Sequence, residues 1–393
     1  MRPLLATAIA TLAQAIAGQD FIHYRFDSNC SLEVINYATG SQALASNGAL
    51  QSNSSVSPYT AGRFGGGLAG GSPVTTAFYN RVVSGWDPST QPVSGDVTIA
   101  WFMRLRPGAT FGSSVSYLMG APSGGFRLFT GGAAGAGLIQ RETLVSGGNS
   151  SVRDFVLPAT ATNVQALAAA NWLHVAIVVD STTTTATWFV NGNPAFQLNN
   201  VPGALIVQPG SFTIGAWSLA PTGPGSPYDL DEFLLSRRAF SAAEILLLSL
   251  APRAGHGGFT SGIPSQCGAG NLALGSTGGA PNLGNAGYAL SVTAVRPSLL
   301  LVLAGFDRCS FGGSIPLPLD GTPLLPLLNG CWILTDTLAI VGVITNGGPT
   351  SLPFPIPGSP TNLGLTVYFQ SLALDLASGA SSMSNGFAVG IGL

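Results

Sequence analysis

Trp172-Leu-His-Val-Ala-Ile-Val-Val-Asp180 leads through Ser-Thr-Thr-Thr-Thr into Ala186-Thr-Trp-Phe-Val-Asn-Gly-Asn-Pro194. Two runs rich in branched and aromatic residues flank a polar connection, and the second ends in Asn191-Gly192, a pair suited to a tight turn with positive φ. Val175, Ile177 and Val179 alternate with Ala176 and Val178. Both faces of the first run are therefore apolar, as in a strand covered on both sides. The stretch reads as the central hairpin of a β-sandwich.

Working outward, the chain has 393 residues, enough for two domains. Charged residues make up 8%, the formal net charge is −2, and 53 residues are glycine. Such a composition would allow disorder, but a hydrophobic fraction of 46% in short β-type runs predicts packed all-β domains. The 14 Lys and Arg residues are scattered singly, leaving no basic surplus to neutralise phosphates, so nucleic acid is not an expected partner.

Met1-Arg2-Pro3, a short apolar run and Ala15-Ile16-Ala17 read as a signal peptide over residues 1–17. The alternative, a membrane anchor, needs about 20 apolar residues, and this run is shorter and broken by Thr11 and Gln14. The mature chain is expected to be exported, without a membrane span. Four cysteines in an exported chain suit two disulfides with three possible pairings. Cys309 and Cys331, 22 positions apart, are the expected first pair, leaving Cys30 to Cys267 or free.

Further strands are predicted at Phe21–Asp27, Asp96–Arg106, Val115–Met119, Phe126–Phe129, Val152–Leu157, Phe212–Trp217 and Tyr228–Leu235. With Gly-rich turns between them they predict an antiparallel two-sheet sandwich over residues 21–250. Gly62-Arg-Phe-Gly-Gly-Gly-Leu-Ala-Gly70 lacks both the lysine and the following helix of a phosphate loop, and reads as a packing turn. Ser241 and Glu244 form a capping box before Ile245-Leu-Leu-Leu, and Pro252 ends that helix. Residues 251–263 read as a Gly-rich linker containing His256. A second, smaller β-sandwich of immunoglobulin-like size is expected over residues 264–393, with Pro-rich stretches such as Ser351–Gly358 confined to loops or edges.

Residues 21–250 resemble the laminin-G-like (concanavalin A-like) jelly-roll family of secreted and surface proteins. The resemblance is carried by His23-Tyr-Arg-Phe-Asp27, Gly62-Arg-Phe-Gly-Gly-Gly-Leu68, Val97-Thr-Ile-Ala-Trp-Phe-Met-Arg104, Trp172-Leu-His-Val-Ala176, Phe189-Val-Asn-Gly192 and the segment from Asp229 to Ile245, in the family's order. The polar region from Ser28 to Tyr59 departs from it. Residues 264–393 are similar, through Cys267-Gly, Gly330-Cys331, Leu365-Thr-Val-Tyr-Phe-Gln370 and Ser384-Asn-Gly386, to Gly/Pro-rich β modules of large secreted bacterial proteins.

The resemblance implies a calcium site where first and last strands meet, to which Asp27 and Asp229 or Asp231 could contribute; alternatively Asp231 and Glu232 orient Arg237 or Arg238. Fold relatives that hydrolyse glycosides set acids alternately along one strand. Asp229-Leu-Asp-Glu232 departs from that pattern and no nucleophile elbow or histidine triad is visible, so no catalysis is expected. His174, between apolar neighbours, reads as a core histidine. Sugars stack on exposed aromatics, and Trp86, Tyr79, Trp217 and Tyr228 stand beside Gly, Pro or Asp in expected loops, Trp86 first among them. Against this stands a core role for Trp217, as for Trp101, Trp172 and Trp188. The expected function is recognition or adhesion without catalysis, with glycan or a cell-surface protein as partner. The alternatives are a structural surface or matrix component and, behind it, a glycoside hydrolase.

Overall fold

The computed structural model describes residues 20–27, 30–53, 57–71, 79–109, 116–120, 127–130, 140–145, 152–156, 168–169, 171–201, 203–207, 209–216, 226–260, 267, 272–324 and 326–393. Two compact units emerge. One comprises Gly40–Ala251 with the segment ending at Asp27; the other comprises Pro252–Leu393 with Ser28–Thr39.

The first unit is an antiparallel jelly roll. One sheet runs Asn193–Asn199, Thr185–Val190, Leu173–Asp180, Val97–Leu105, Tyr228–Ser236, Gly66–Leu68, Tyr59–Ala61, and Asp20–Tyr24 also pairs with Tyr228–Ser236. The other contains, in order, Val152–Val156, Gln140–Val145, Arg127–Thr130, Ser116–Gly120, Thr213–Ile214, Asn80–Val83 and Gly48–Ser52. Consecutive hairpins build one flank of each sheet, while Asp20–Tyr24 pairs with Tyr228–Ser236, so the first strand meets the last.

The Leu173–Asp180 strand is buried from Leu173 to Val179, as its two apolar faces require. Ile177 lies between Trp188 and Ile99 in register. Asn191 (φ 49°) and Gly192 (φ 79°) form the tight turn into Asn193–Asn199. A Cβ on Gly192 would come 3.0 Å from Leu246 Cα, so the helix seats directly on this turn. That helix, Ala242–Leu250, carries the expected capping box: Ser241 Oγ accepts from Glu244 N (3.3 Å), and Ser241 N donates to Glu244 Oε2 (2.7 Å). Aromatic rings fill the interior. Trp86 packs edge-on against Phe21 and tilted against Phe212, with ring centroids 5.1 Å apart in each case, and Phe212 meets Phe233 of the closing strand.

The second unit is a smaller sandwich. Its six-stranded sheet runs Gly255–Phe259, Gly386–Gly390, Thr366–Asp375, Ser298–Gly305, Ala339–Thr345, with Ser381–Met383 beside Thr366–Asp375; a three-stranded sheet holds Ala273–Thr277, Ala289–Ala294 and Gly348–Pro353. Leu274, Leu290, Val292, Leu300, Val302, Val367, Phe369 and Val389 share its core. Gly348–Pro353, with prolines at both 349 and 353, occupies a sheet edge, where a missing N–H is tolerated.

Two sequence expectations need correction here. The stretch read as a linker contains a strand, Gly255–Phe259, paired along its length with Gly386–Gly390. The disulfides are Cys30–Cys309 (Cα–Cα 5.5 Å) and Cys267–Cys331 (4.9 Å), not Cys309–Cys331 and Cys30–Cys267. The reason is the path of Ser28–Thr39. Ile35 and Tyr37 pack with Phe259, Leu334, Tyr368 and Ala388, and Arg308 Nη2 donates to Glu33 O at 2.7 Å, so Cys30 arrives beside Cys309. Cys267 and Cys331 meet in a separate cluster with Leu328, Ile333, Leu372 and Met383.

Candidate functional site

The closing strand Tyr228–Ser236 carries Asp229, Asp231 and Glu232, all buried. Simple alternation would turn Glu232 away from the other two. Instead Glu232 adopts φ 49° at a register shift between Asp231 and Leu234, which re-aims its carboxylate. Glu232 Oε2 lies 3.0 Å from His23 Nε2, and its Oε1 accepts from Arg25 Nε at 3.1 Å. The same Arg25 Nε is 3.2 Å from Asp27 Oδ2. Arg237 and Arg238 are not the partners of these acids; Arg238 instead holds Glu244 at 2.7 Å.

Each aspartate secures the Gly-rich hairpin. Asp231 Oδ2 accepts from Arg63 N (2.6 Å) and Phe64 N (3.0 Å), while Oδ1 accepts from Glu232 N (2.8 Å). Asp229 Oδ1 accepts from Gly70 N (3.0 Å), and its Oδ2 pairs with Arg104 Nη2 (2.9 Å). Asp27 Oδ1 accepts from Gly66 N (3.4 Å). Gly65 turns there at φ 82°, and a Cβ on it would lie 2.6 Å from Asp27 Oδ1. Burial raises the Asp231 carboxyl well above the usual aspartate range, Glu232 and Asp27 push the same way, and the N–H donors oppose them.

Calcium needs several oxygens with free lone pairs. All six oxygens of Asp27, Asp229 and Asp231 face backbone N–H groups or guanidinium nitrogens, so Arg25 and Arg104 already supply positive charge beside Asp27 and Asp229. Among the described residues no group of three or more His, Cys, Asp or Glu side chains is arranged to hold a metal.

The four aromatic candidates separate. Trp86 is fully buried, its Nε1 donating to Gln91 O at 2.8 Å, and Tyr228 is buried as well; neither can stack on a sugar. Gly, Pro and Asp neighbours mark a change of direction in the chain, not exposure of the ring beside them. Trp101 and Trp188 lie in the core. Trp217 lies outside the described residues. Tyr79 remains, half-buried, with the Arg81 guanidinium 4.7 Å from its ring centre.

Arg81 and Gln51, which the sequence reading missed, complete a patch around it. They stand opposite each other in register, and Gln51 Oε1 accepts from Arg81 Nε (3.0 Å) and Nη2 (2.8 Å). Tyr79 N donates to Asn53 Oδ1 at 2.7 Å. The signal was available: in Asn80–Val83 the core residue is Val82, so Tyr79 and Arg81 share the opposite side of the strand from it. The patch offers the half-buried ring and the exposed carboxamides of Gln51 and Asn53, with the buried Arg81 guanidinium lying over the ring.

Antiparallel layers closed by pairing of the first and last strands define a jelly-roll domain. Within it, residues 82–246 match the laminin G family model described as the concanavalin A-like lectin/glucanases superfamily. No curated protein matches the chain by sequence. Among solved structures, domain 4 of an extracellular GH43 arabinanase from Geobacillus stearothermophilus, in complex with arabinotriose, is similar at 16% identity and TM-score 0.41, over 59% of this chain and 99% of that one. The ligand-binding domain of Botulinum neurotoxin serotype D, in complex with N-acetylneuraminic acid, is similar at 7% identity and TM-score 0.41, over 96% of this chain and 93% of that one. No helix among the described residues is long and apolar enough to cross a membrane.

Proposed function

We propose that this is an exported recognition protein that binds glycan without turning it over, through the Tyr79 patch of its jelly roll. The carrying observation is the half-exposed Tyr79 ring beside Arg81, Gln51 and Asn53, in a domain matched to a lectin-containing superfamily. A pyranose stacks its C–H face on such a ring, while the exposed carboxamides of Gln51 and Asn53 meet its hydroxyls. Two disulfides accord with an oxidising destination. Glycan-array binding followed by calorimetry tests the reading. Tyr79→Ala is expected to weaken binding at least about tenfold with an unchanged Tm. Trp86→Ala is expected to lower the Tm through loss of a core ring worth roughly 3–5 kcal/mol. Because the three aspartates are engaged within the fold, binding is expected to survive chelation, and its loss in EDTA would return calcium to the site. Absence of saturable binding with and without calcium would favour the structural, matrix-type alternative. Release of reducing ends from polysaccharides, abolished by Asp229→Asn or Asp231→Asn, would make the protein a hydrolase.

A further inference from the structure

The strand Ala339–Thr345 ends the six-stranded sheet. One side pairs without register shift to Ser298–Gly305; among the described residues no strand pairs with the other. Ile340, Val341 and Ile344 are 58%, 55% and 69% exposed, and Leu338 just before them 65%. Soluble proteins ordinarily blunt such an edge with a charge, a proline or a bulge. Leu338–Thr345 has none of these.

The sequence of this edge is symmetric about one residue: Ile340-Val341-Gly342-Val343-Ile344. Its two faces are distinct. Val341 and Val343 stand opposite Val302 and Leu300, which belong to the sandwich core; Ile340 and Ile344 stand opposite Leu303 and Leu299. A two-fold axis through Gly342 would pair the strand antiparallel with its copy. Gly342 would then face itself, Ile340 would face Ile344, and Val341 would face Val343. Every side chain meets its chemical equivalent on the correct face, as a self-complementary interface requires.

The geometry points to a homodimer in which this edge pairs with the same edge of a second copy, extending the six-stranded sheet across the two-fold. The four exposed side chains offer on the order of 400 Å² of apolar surface per copy, about half the ~800 Å² per partner of a standard stable interface. The newly paired backbone supplies further area.

Sedimentation velocity on the full chain, at concentrations up to about 100 µM, is expected to show a dimer. The double variant Ile340→Lys/Ile344→Lys is expected to sediment as a folded monomer, both side chains being exposed in the single copy, with a Tm that no longer rises with protein concentration. Gly342→Cys reads the register directly. An antiparallel pair holds opposed Cα atoms about 4.5–5.5 Å apart, within disulfide reach. Oxidised Gly342→Cys should therefore run as a covalent dimer, whereas Ile344→Cys, facing position 340, should not. A monomeric wild type, a dimer that survives the lysines, or a dimer in which Gly342→Cys fails to cross-link would each overturn the proposal, as would an edge occupied only by a different protein.

Discussion

His174 lies in the central strand Leu173–Asp180, directly before the apolar run Val175–Val179. Its ring is 4.9 Å from that of Phe102, and burial pushes its pKa from the ordinary 6.5 down to about 3. The backbone around it is tied to the next turn: His174 N donates to Asn191 Oδ1 (3.0 Å) and His174 O accepts from Asn191 N (2.8 Å). The unfolded chain protonates this imidazole below about pH 6.5, whereas the folded chain resists until near pH 3. Stability from this group is therefore complete above 6.5 and is lost as the pH falls through that window, by at most about 1.4 kcal/mol per pH step. In His174→Phe, a ring of similar size that does not titrate, the Tm of the jelly roll is expected to fall less steeply between pH 6.5 and 4 than in the wild type. Equal slopes would mean that His174 is solvated in the fold.

The closing strand and the Gly-rich hairpin act as one element, and Asp231 is their fastener. Asp231→Ala strips the acceptor from the N–H groups of Arg63, Phe64 and Glu232. The expected cost is about 3 kcal/mol, with faster hydrogen exchange at Arg63 and Phe64, and Asp231→Asn, which keeps one acceptor oxygen, should lose less. Strands such as Val97–Leu105 and Leu173–Asp180 were legible because apolar patterning alone predicts them, and the helix was legible from Ser241 and Glu244. Gly255–Phe259 was not. Its glycines look like a linker, yet they are there for close approach: a Cβ on Gly255 would come 2.9 Å from Tyr37 Cβ, and one on Gly257 2.8 Å from Ile35 Cγ2. The same blind spot misassigned the disulfides, since nothing local to residues 28–39 says which core they join. At the site, the family resemblance implied that Asp229 and Asp231 lie near the first strand, but not that both carboxylates accept from the backbone of the Gly-rich segment. Of the four sugar-stacking candidates Tyr79 alone is both described and partly open, and Arg81 passed unnoticed because a single arginine in a short strand carries no motif.

At the scale of the whole molecule, covalent bracing is unequal. Both disulfides fall in the unit built from Pro252–Leu393 and Ser28–Thr39, while Gly40–Ala251 contains no cysteine. Reduction should therefore shift one calorimetric transition and spare the other. Cys30–Cys309 closes a span of 279 positions and Cys267–Cys331 one of 64, so several kilocalories per mole of loop-closure entropy are at stake. In dithiothreitol the smaller sandwich is expected to melt well below its oxidised temperature, with the jelly-roll transition unmoved; a parallel fall in both would show that the units unfold together. The low charge content, 8%, leaves few groups to discourage association, which makes the uncharged edge at Leu338–Thr345 weigh more than it would on a highly charged surface.

The path of the chain also sets a timetable. Asp20–Tyr24 emerges from the ribosome long before its partner Tyr228–Ser236, and Ile35 and Tyr37 must wait for Tyr368 and Ala388. Neither sandwich can close around its earliest residues until nearly all of its own sequence has been synthesised. If the chain is exported in extended form, as proposed, such postponed closure would keep the leading segments loose while they travel and leave assembly to begin on the far side.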